Sequence, residues 1–389
     1  MADTVVQTEL QEVQDLLTEM VRIPSVTVRP GDDGPGEQRL SRWIAGWLRD
    51  QGMEVATQEA KPGRDNVIAR IPGRDRSKTL VMNSHLDTVE VEGMSVDPFG
   101  AEVVNGRLYG RGSCDAKGCL TTFMLAAKRT ARAPEPPPID VVFLATIGEE
   151  SGGHGIRAFT ESLPADHGIA GCLIGEPTEL RAVIAHKGGA HLDITTQGKA
   201  AHSSQPWQGD NAIYRMAPVL QFIENTLAPE LESKRHPLVG PPSMAVTGIR
   251  GGIGANVIPP SCTIGLSRRT IPGEDPAEIL ADLKGRIEAL DPGHIEVVAG
   301  GGVTGLHTPA ESPLAQSMKR ALEANHLDGT GIGVNYGTDG LVVAPLGIPV
   351  VVFGPGSIDV AHQADESVPL QELVTAARVV TDLVRDFDG

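Results

Sequence analysis

Apolar side chains recur along this chain with two distinct periods. Leu10, Val13, Leu17, Met20 and Val21 fall on one face of a 3.6-residue repeat that stops before Pro24. Leu40, Trp43, Ile44, Trp47 and Leu48 repeat the pattern up to Gly52, a residue suited to the left-handed turn that ends helices. Short apolar runs then alternate with helical stretches. Val67–Ile71, Thr79–Met82, Ile139–Thr146 and Gly171–Ile174 predict strands, with a helix over Lys117–Arg132 between two of them. Runs that are apolar on both faces and separated by helices predict an α/β fold, a mostly parallel sheet covered by helices on both faces.

The pattern changes near Ala182. His191–Thr196, Met244–Ile249 and Cys262–Leu266 predict strands, accompanied by amphipathic helices over Asn211–Ile223 and Pro276–Leu290, which together make a small α+β unit. From about Ile295 the first pattern resumes, with a helix over Leu314–Ala324, a strand over Pro349–Phe353 and a helix over Leu370–Phe387. A chain of 389 residues exceeds what one core serves. The expectation is one α/β domain made of residues 1–181 and 295–389, interrupted by an α+β domain at 182–294. Interruption is tolerated because domain termini commonly lie close together.

Charge narrows the function. Asp and Glu number 50 against 33 Lys and Arg, a net charge of −17, which disfavours nucleic-acid and anionic-membrane partners that need a cationic surface. No apolar stretch approaches the roughly 18 residues of a membrane span. The start of the chain lacks a basic segment followed by an apolar one, so no secretory signal is expected. Cys114, Cys119, Cys172 and Cys262 form no CxxC pair and read as reduced thiols of a cytoplasmic protein.

Acids and histidines stand just after the strand signals. His85 and Asp87 end the run from Thr79, Asp115 lies in a Gly-rich turn before a helix, and Glu149 and Glu150 follow the run from Ile139. Glu176 follows Cys172–Ile174, and His362 follows Gly354-Pro-Gly-Ser357. Ligands of open α/β sheets sit at the carboxyl ends of strands. Imidazole and carboxylate suit borderline cations such as zinc, and a pair of cations needs an anionic bridge and about three protein donors each. Each group taken alone is ordinary: His-x-Asp is turn chemistry, Glu-Glu a solvated face, Asp in a Gly turn a cap. Five such sites at strand ends are harder to attribute to coincidence.

Through these motifs the chain resembles the M20 family of metal-dependent amidohydrolases and peptidases over nearly its whole length. The resemblance rests on Ser84-His-Leu-Asp-Thr-Val89, Leu108-Tyr-Gly-Arg-Gly-Ser-Cys-Asp-Ala-Lys-Gly118, Gly148-Glu-Glu-Ser-Gly152, Gly175-Glu-Pro-Thr178 and Gly354-Pro-Gly-Ser357 with His362. It implies a zinc-peptidase-like catalytic domain and an inserted dimerisation or lid domain. It also implies two Zn²⁺, with Co²⁺ or Mn²⁺ as alternatives: His85 and Glu176 would hold one ion, Glu150 and His362 the other, and Asp115 would bridge, its bond to Ala116 being cis. Glu149 would be the general base acting on a metal-activated water, and Asp87 would orient His85. His202 would reach across a homodimer formed through the inserted domain to bind the oxyanion. Asn256, Arg269, Gly337 and Thr338 would contact substrate, with Arg269 on its carboxylate. Ser267 stands where the family commonly has Asp, and Ala116 and Cys119 are unusual beside the bridging Asp; no ligand is lost. Cys114 and Cys119 are read as packing because the hard-donor set is complete without them.

The motifs most resemble acetylornithine deacetylase, which implies hydrolysis of the amide of an N-acyl-L-amino acid. A dipeptidase, carboxypeptidase or succinyl-diaminopimelate desuccinylase of the same family is the alternative. A non-enzymatic zinc-containing binding protein is the alternative from another class, disfavoured by the presence of both Glu149 and Glu150.

Overall fold

The computed structural model describes residues 2–28 and 36–389. The chain forms two compact units: Met1–Ile184, Thr308–Ile332 and Thr338–Gly389 make the first, Ala185–His307 and Gly333–Gly337 the second.

In the first unit the strands lie in the order Glu54–Lys61, Arg64–Ile71, Ile139–Thr146, Asp75–His85, Ile169–Ile174, Val350–Val352. The last four are mutually parallel. The first two form an antiparallel hairpin that joins the parallel set antiparallel, and Val183 pairs antiparallel with Val352 at the other side. The sheet is therefore mixed rather than mostly parallel. The difference comes from Glu54–Lys61, whose alternation of polar residues, none of them buried, gives no apolar run to read. The central strands are apolar throughout because both faces are covered: Val141–Ala145, Leu80–Met82 and Val350–Val352 are all buried. Helices Ala2–Val21, Lys117–Ala131, Pro313–Ala324 and Leu370–Asp386 pack together on one side, while Gln38–Asp50, His154–Glu161 and Gly340–Val343 form a separate set that contacts the same strands. In Leu370–Asp386 the buried Leu373, Val374, Ala377, Val380, Leu383 and Val384 repeat with the helical period. A small sheet of Glu102–Val104, Arg107–Tyr109 and Ser367–Pro369 stands before the loop that carries Asp115.

The second unit has a four-stranded antiparallel sheet in the order Ser243–Gly251, Ser261–Arg269, Gly189–Gln197, Ile295–Val303. Burial alternates along its central strands, and Leu192, Ile194, Ile264, Leu266 and Val297 share one core with Met216, Val219, Leu283 and Ile287 of the two covering helices. Those helices, Ala212–Phe222 and Pro276–Glu288, start where predicted. Asn211 accepts from the Ile213 N–H at 3.0 Å and Asp275 from the Ala277 N–H at 2.8 Å, satisfying donors that a helix start leaves open. Ile295–Val303 is the fourth strand of this sheet, so the unit runs on to His307 instead of ending at 294, and it begins at Ala185 instead of 182. The residues alone do not mark this strand, because its second half, Ala299-Gly-Gly-Gly302 before Val303, carries no alternation. The chain leaves and re-enters the first unit at neighbouring residues: the Thr308 N–H donates to the Ile184 carbonyl at 2.8 Å.

Candidate metal centre

The parallel strands of the first unit all point their carboxyl ends the same way, and the acids and histidines follow those ends. His85 closes Asp75–His85, Glu149 and Glu150 follow Ile139–Thr146, Glu176 follows Ile169–Ile174, and His362 lies on the segment after Val350–Val352. Asp115 stands just before Ala116, the cap residue of helix Lys117–Ala131, and its bond to Ala116 is cis. Gly148, at φ 70°, takes the left-handed conformation that turns the chain out of its strand before Glu149. His362 itself has φ 61°, a conformation non-glycine residues seldom adopt, and which tends to be held at functional sites.

These side chains converge. Asp115 Oδ1 lies 2.9 Å from His85 Nε2, and Glu176 Oε1 lies 3.7 Å from the same nitrogen. Asp115 Oδ2 lies 3.3 Å from His362 Nε2, and Glu150 Oε1 lies 2.8 Å from that nitrogen. The two oxygens of one carboxylate thus face two different imidazole–carboxylate sets. Donor atoms of His85, Asp115 and Glu150 all fall within 4.8 Å of one another.

The electrostatics suit cations. Asp87, Asp115, Glu149, Glu150, Glu176 and Asp339 gather around two imidazoles, and among the described residues none of these acids is paired with Lys or Arg. Burial pushes Glu149 well above the usual carboxylate range, with the Glu176 charge adding to it. Burial lifts Glu176 to about 7 and Asp339 to about 6. Hydrogen bonds to Asp115 and Glu150 raise His362 to about 10. His85 stays well above its ordinary value although burial opposes this, because Glu176, Asp115 and Asp87 attract its proton. Burial works to raise Asp115, but its bonds to His362 and His85 hold it low. An enclosure that retains protons this firmly stabilises positive charge, and its oxygen and imidazole donors match a borderline dication. The residues therefore fit the implied pair of ions.

The loops are held by Asp87 and by groups the sequence did not single out. Four successive N–H groups donate to side chains: Ile147 to Asn66 Oδ1 at 3.1 Å, Gly148 to Glu37 Oε1 at 3.2 Å, and Glu149 and Glu150 to the two oxygens of Asp87 at 3.0 Å each. Glu37 is itself bound by the Arg64 guanidinium. His85 Nδ1 lies 2.9 Å from the Asp87 carbonyl oxygen and 3.6 Å from its carboxylate, so Asp87 faces His85 chiefly through its backbone while its carboxylate holds the Glu149–Glu150 turn. Asp339 accepts from Asn83 Nδ2 at 3.2 Å and Thr146 Oγ1 at 3.1 Å, pinning the segment that carries Thr338 to two adjacent strands. The available signal was the last polar residue before an apolar run: Asn66 before Val67, and Asp339 before Gly340-Leu-Val-Val343. Asp87→Ala is expected to lower first-unit stability by about 1–3 kcal/mol, since it strips two N–H groups of their acceptors. Urea unfolding measures this, and an unmoved midpoint would contradict it.

The remaining expected residues lie in the second unit, except Thr338, which is buried in the first. His202 is on an exposed loop, with Nδ1 2.7 Å from Ser204 Oγ, and it bridges to Val257 beside Asn256, whose carbonyl accepts from the Ser203 N–H at 2.9 Å. Arg269 is exposed at the end of its strand, and the preceding Arg268 is buried against Glu274 at 2.6 Å. Gly337 ends the short segment Gly333–Gly337. The four cysteines are buried and free.

An α/β sheet with an imidazole–carboxylate cluster at its strand ends and an inserted antiparallel unit defines a class of hydrolase, and comparison with known proteins identifies it. Residues 81–386 match the model of Peptidase family M20/M25/M40. The acetylornithine deacetylase of Vibrio atlanticus is 31% identical over 366 residues, covering 90% of this chain and 92% of the relative. That of Edwardsiella ictaluri is 31% identical over 390 residues, covering 98% and 99%. The fold matches aminopeptidase PepT of Bacillus cereus with a TM-score of 0.79 at 21% identity, over 98% of this chain and 99% of that one. It matches a Bacillus subtilis protein described as a dinuclear metal binding peptidase of the M20 family with a TM-score of 0.74 at 15% identity, over 97% and 98%. The chain belongs to the M20/M25/M40 peptidase family and is a hydrolase of amide bonds. No helix of the described residues is long and apolar enough to cross a membrane.

Proposed function

We propose that this enzyme removes the acyl group from an N-acyl-L-amino acid, as an acetylornithine deacetylase does, using two metal ions. The observation that carries the reading is the split of Asp115, one oxygen toward His85 and Glu176, the other toward His362 and Glu150. Those residues would hold two Zn²⁺, Co²⁺ or Mn²⁺ ions, which when bound polarise an amide carbonyl and acidify a water. Glu149 takes the proton from the attacking water and passes it to the departing amine; burial raises its proton affinity, which suits that task. Asp87 fixes the turn that presents Glu149 and Glu150. Asn256, Arg269, Gly337 and Thr338 bind substrate, Arg269 offering a planar fork to a carboxylate. His202 of the partner subunit donates to the oxyanion in a homodimer built through the second unit. In support, Ser243–Gly251 is the edge of its sheet, and Ile249, Ile253, Tyr214 and Trp207 of the same unit are exposed. The reading places the enzyme in the cytoplasm, acting on small molecules.

A panel of N-acetyl, N-succinyl, N-formyl and dipeptide substrates, assayed with zinc or cobalt, tests the substrate class. N-acetyl amino acids are expected to be cleaved fastest, and only with metal present. Dipeptide or N-succinyl cleavage at least about tenfold faster would replace deacetylase by dipeptidase or desuccinylase, a difference of roughly 1.4 kcal/mol in transition-state binding.

A further inference from the structure

Glu366 stands four residues beyond His362, is fully buried, and has no part in the roles above. Four donors converge on its carboxylate. Oε2 accepts from Arg111 Nη1 at 2.7 Å and the Gly112 N–H at 3.0 Å, and Oε1 accepts from the N–H groups of Cys114 and Asp115, both at 3.0 Å. Arg111 is fixed in turn by its Nε, which donates to the Glu90 carbonyl at 3.0 Å, and the Gly110 N–H donates to the Glu366 carbonyl at 3.0 Å. Residues 110–115 are therefore wrapped around a single anion, the way successive backbone N–H groups cradle a phosphate, except that the chain supplies the anion itself.

This is not a helix cap. The helix that follows starts at Lys117 with Ala116 as its cap residue, so the amides held by Glu366 lie upstream of the donors a helix start leaves open. What they fix is the entry of Asp115. Its N–H is tied to Glu366 and its side chain reaches both imidazoles, while the segment 362–366 carries one of those imidazoles and the clamp together. We propose that Glu366 is a positioning residue that sets the bridging carboxylate of Asp115 in register with His85 and His362 before any ion arrives. The proposal rests on reading Asp115 as a metal bridge. Glu366 acts through hydrogen bonds to a charged acceptor, which are about twice as strong as neutral ones. Outer partners of metal ligands typically change metal affinity about 10–100-fold when removed.

The test uses the full-length chain and cobalt(II). Wild type is expected to bind two equivalents, and the Gly112, Cys114 and Asp115 amides are expected to resist hydrogen exchange with or without metal. Glu366→Gln puts an NH2 where an N–H donor needs an acceptor. It is expected to weaken at least one cobalt equivalent about 10–100-fold and to speed exchange at those amides, with its circular dichroism unchanged. Asp140→Asn is the control. Asp140 also accepts a backbone N–H, from Gly73 at 2.7 Å, but at the start of its strand, away from Glu149, so cobalt affinity should not change. Wild-type cobalt affinity in Glu366→Gln, or equal loss in both variants, overturns the proposal while leaving the metal reading in place. A wild-type chain that binds no cobalt overturns both. Should Glu366→Gln fail to fold, rapid exchange of the three amides in metal-free wild type is the outcome that overturns it.

Discussion

Glu149→Ala is expected to lower kcat by about 10²–10⁴-fold, with KM nearly unchanged and two equivalents of metal still bound. The close donor contacts run through His85, Asp115, Glu150, Glu176 and His362, and Glu149 is in none of them. Its backbone is locked in place by Asp87, so truncating the side chain leaves the turn and Glu150 where they are. What disappears is one carboxyl whose proton affinity is raised by burial, the group proposed to take the proton of the attacking water. A loss confined to kcat marks an interaction made only in the transition state. Full activity in the variant would refute the base assignment, and loss of metal together with activity would make Glu149 a ligand instead.

Asp115→Asn has the second large expected effect, on binding as well as rate. The amide keeps the size of the carboxylate but offers one acceptor oxygen in place of two charged ones, so it cannot serve both imidazole sets. Metal affinity should fall by more than the roughly 10–100-fold typical of an outer partner, and activity with it. Stability gives an independent reading. An ion present at about 100 times its dissociation constant stabilises a protein by about 2.7 kcal/mol, so zinc should raise the melting temperature of wild type and leave Asp115→Asn unmoved. Equal zinc-induced shifts in the two proteins would remove Asp115 from the centre. The expected severity falls in the order Asp115→Asn, Glu366→Gln, Asp140→Asn, because Asp115 touches both imidazoles, Glu366 holds the Asp115 backbone and Asp140 does neither.

The elements legible from residues alone are those whose environment is uniform. Ile139–Thr146 is largely apolar because helices cover both of its faces, and its predicted and observed bounds coincide. Helix Lys117–Ala131 and the two helices of the second unit lie within a residue or two of their predicted bounds, because their apolar positions repeat with the helical period. Glu54–Lys61 was not legible, because an edge strand facing water needs no apolar run. The five candidate donors were legible because imidazole and carboxylate are conspicuous at the end of an apolar strand. Glu37, Asn66, Asp339 and Glu366 were not. Three of them bind backbone N–H groups far away in the chain, and a backbone donor leaves no mark on the side chains of the segment that supplies it. Asp339 is anchored to Asn83 and Thr146, each unremarkable in its own strand.

The candidate donors begin at His85, and the last of them, His362, comes after the whole second unit. At roughly 5–20 residues per second, a ribosome takes on the order of ten seconds or longer to travel from Glu176 to His362. Throughout that interval the nascent chain carries four of the five donors and cannot close the cage. A polypeptide that stalls anywhere in that stretch carries His85, Asp115 and Glu176 but lacks the His362 imidazole that faces Glu150 and the second oxygen of Asp115. The set around His85 is thus complete in the chain long before the set around His362, so the second set closes last.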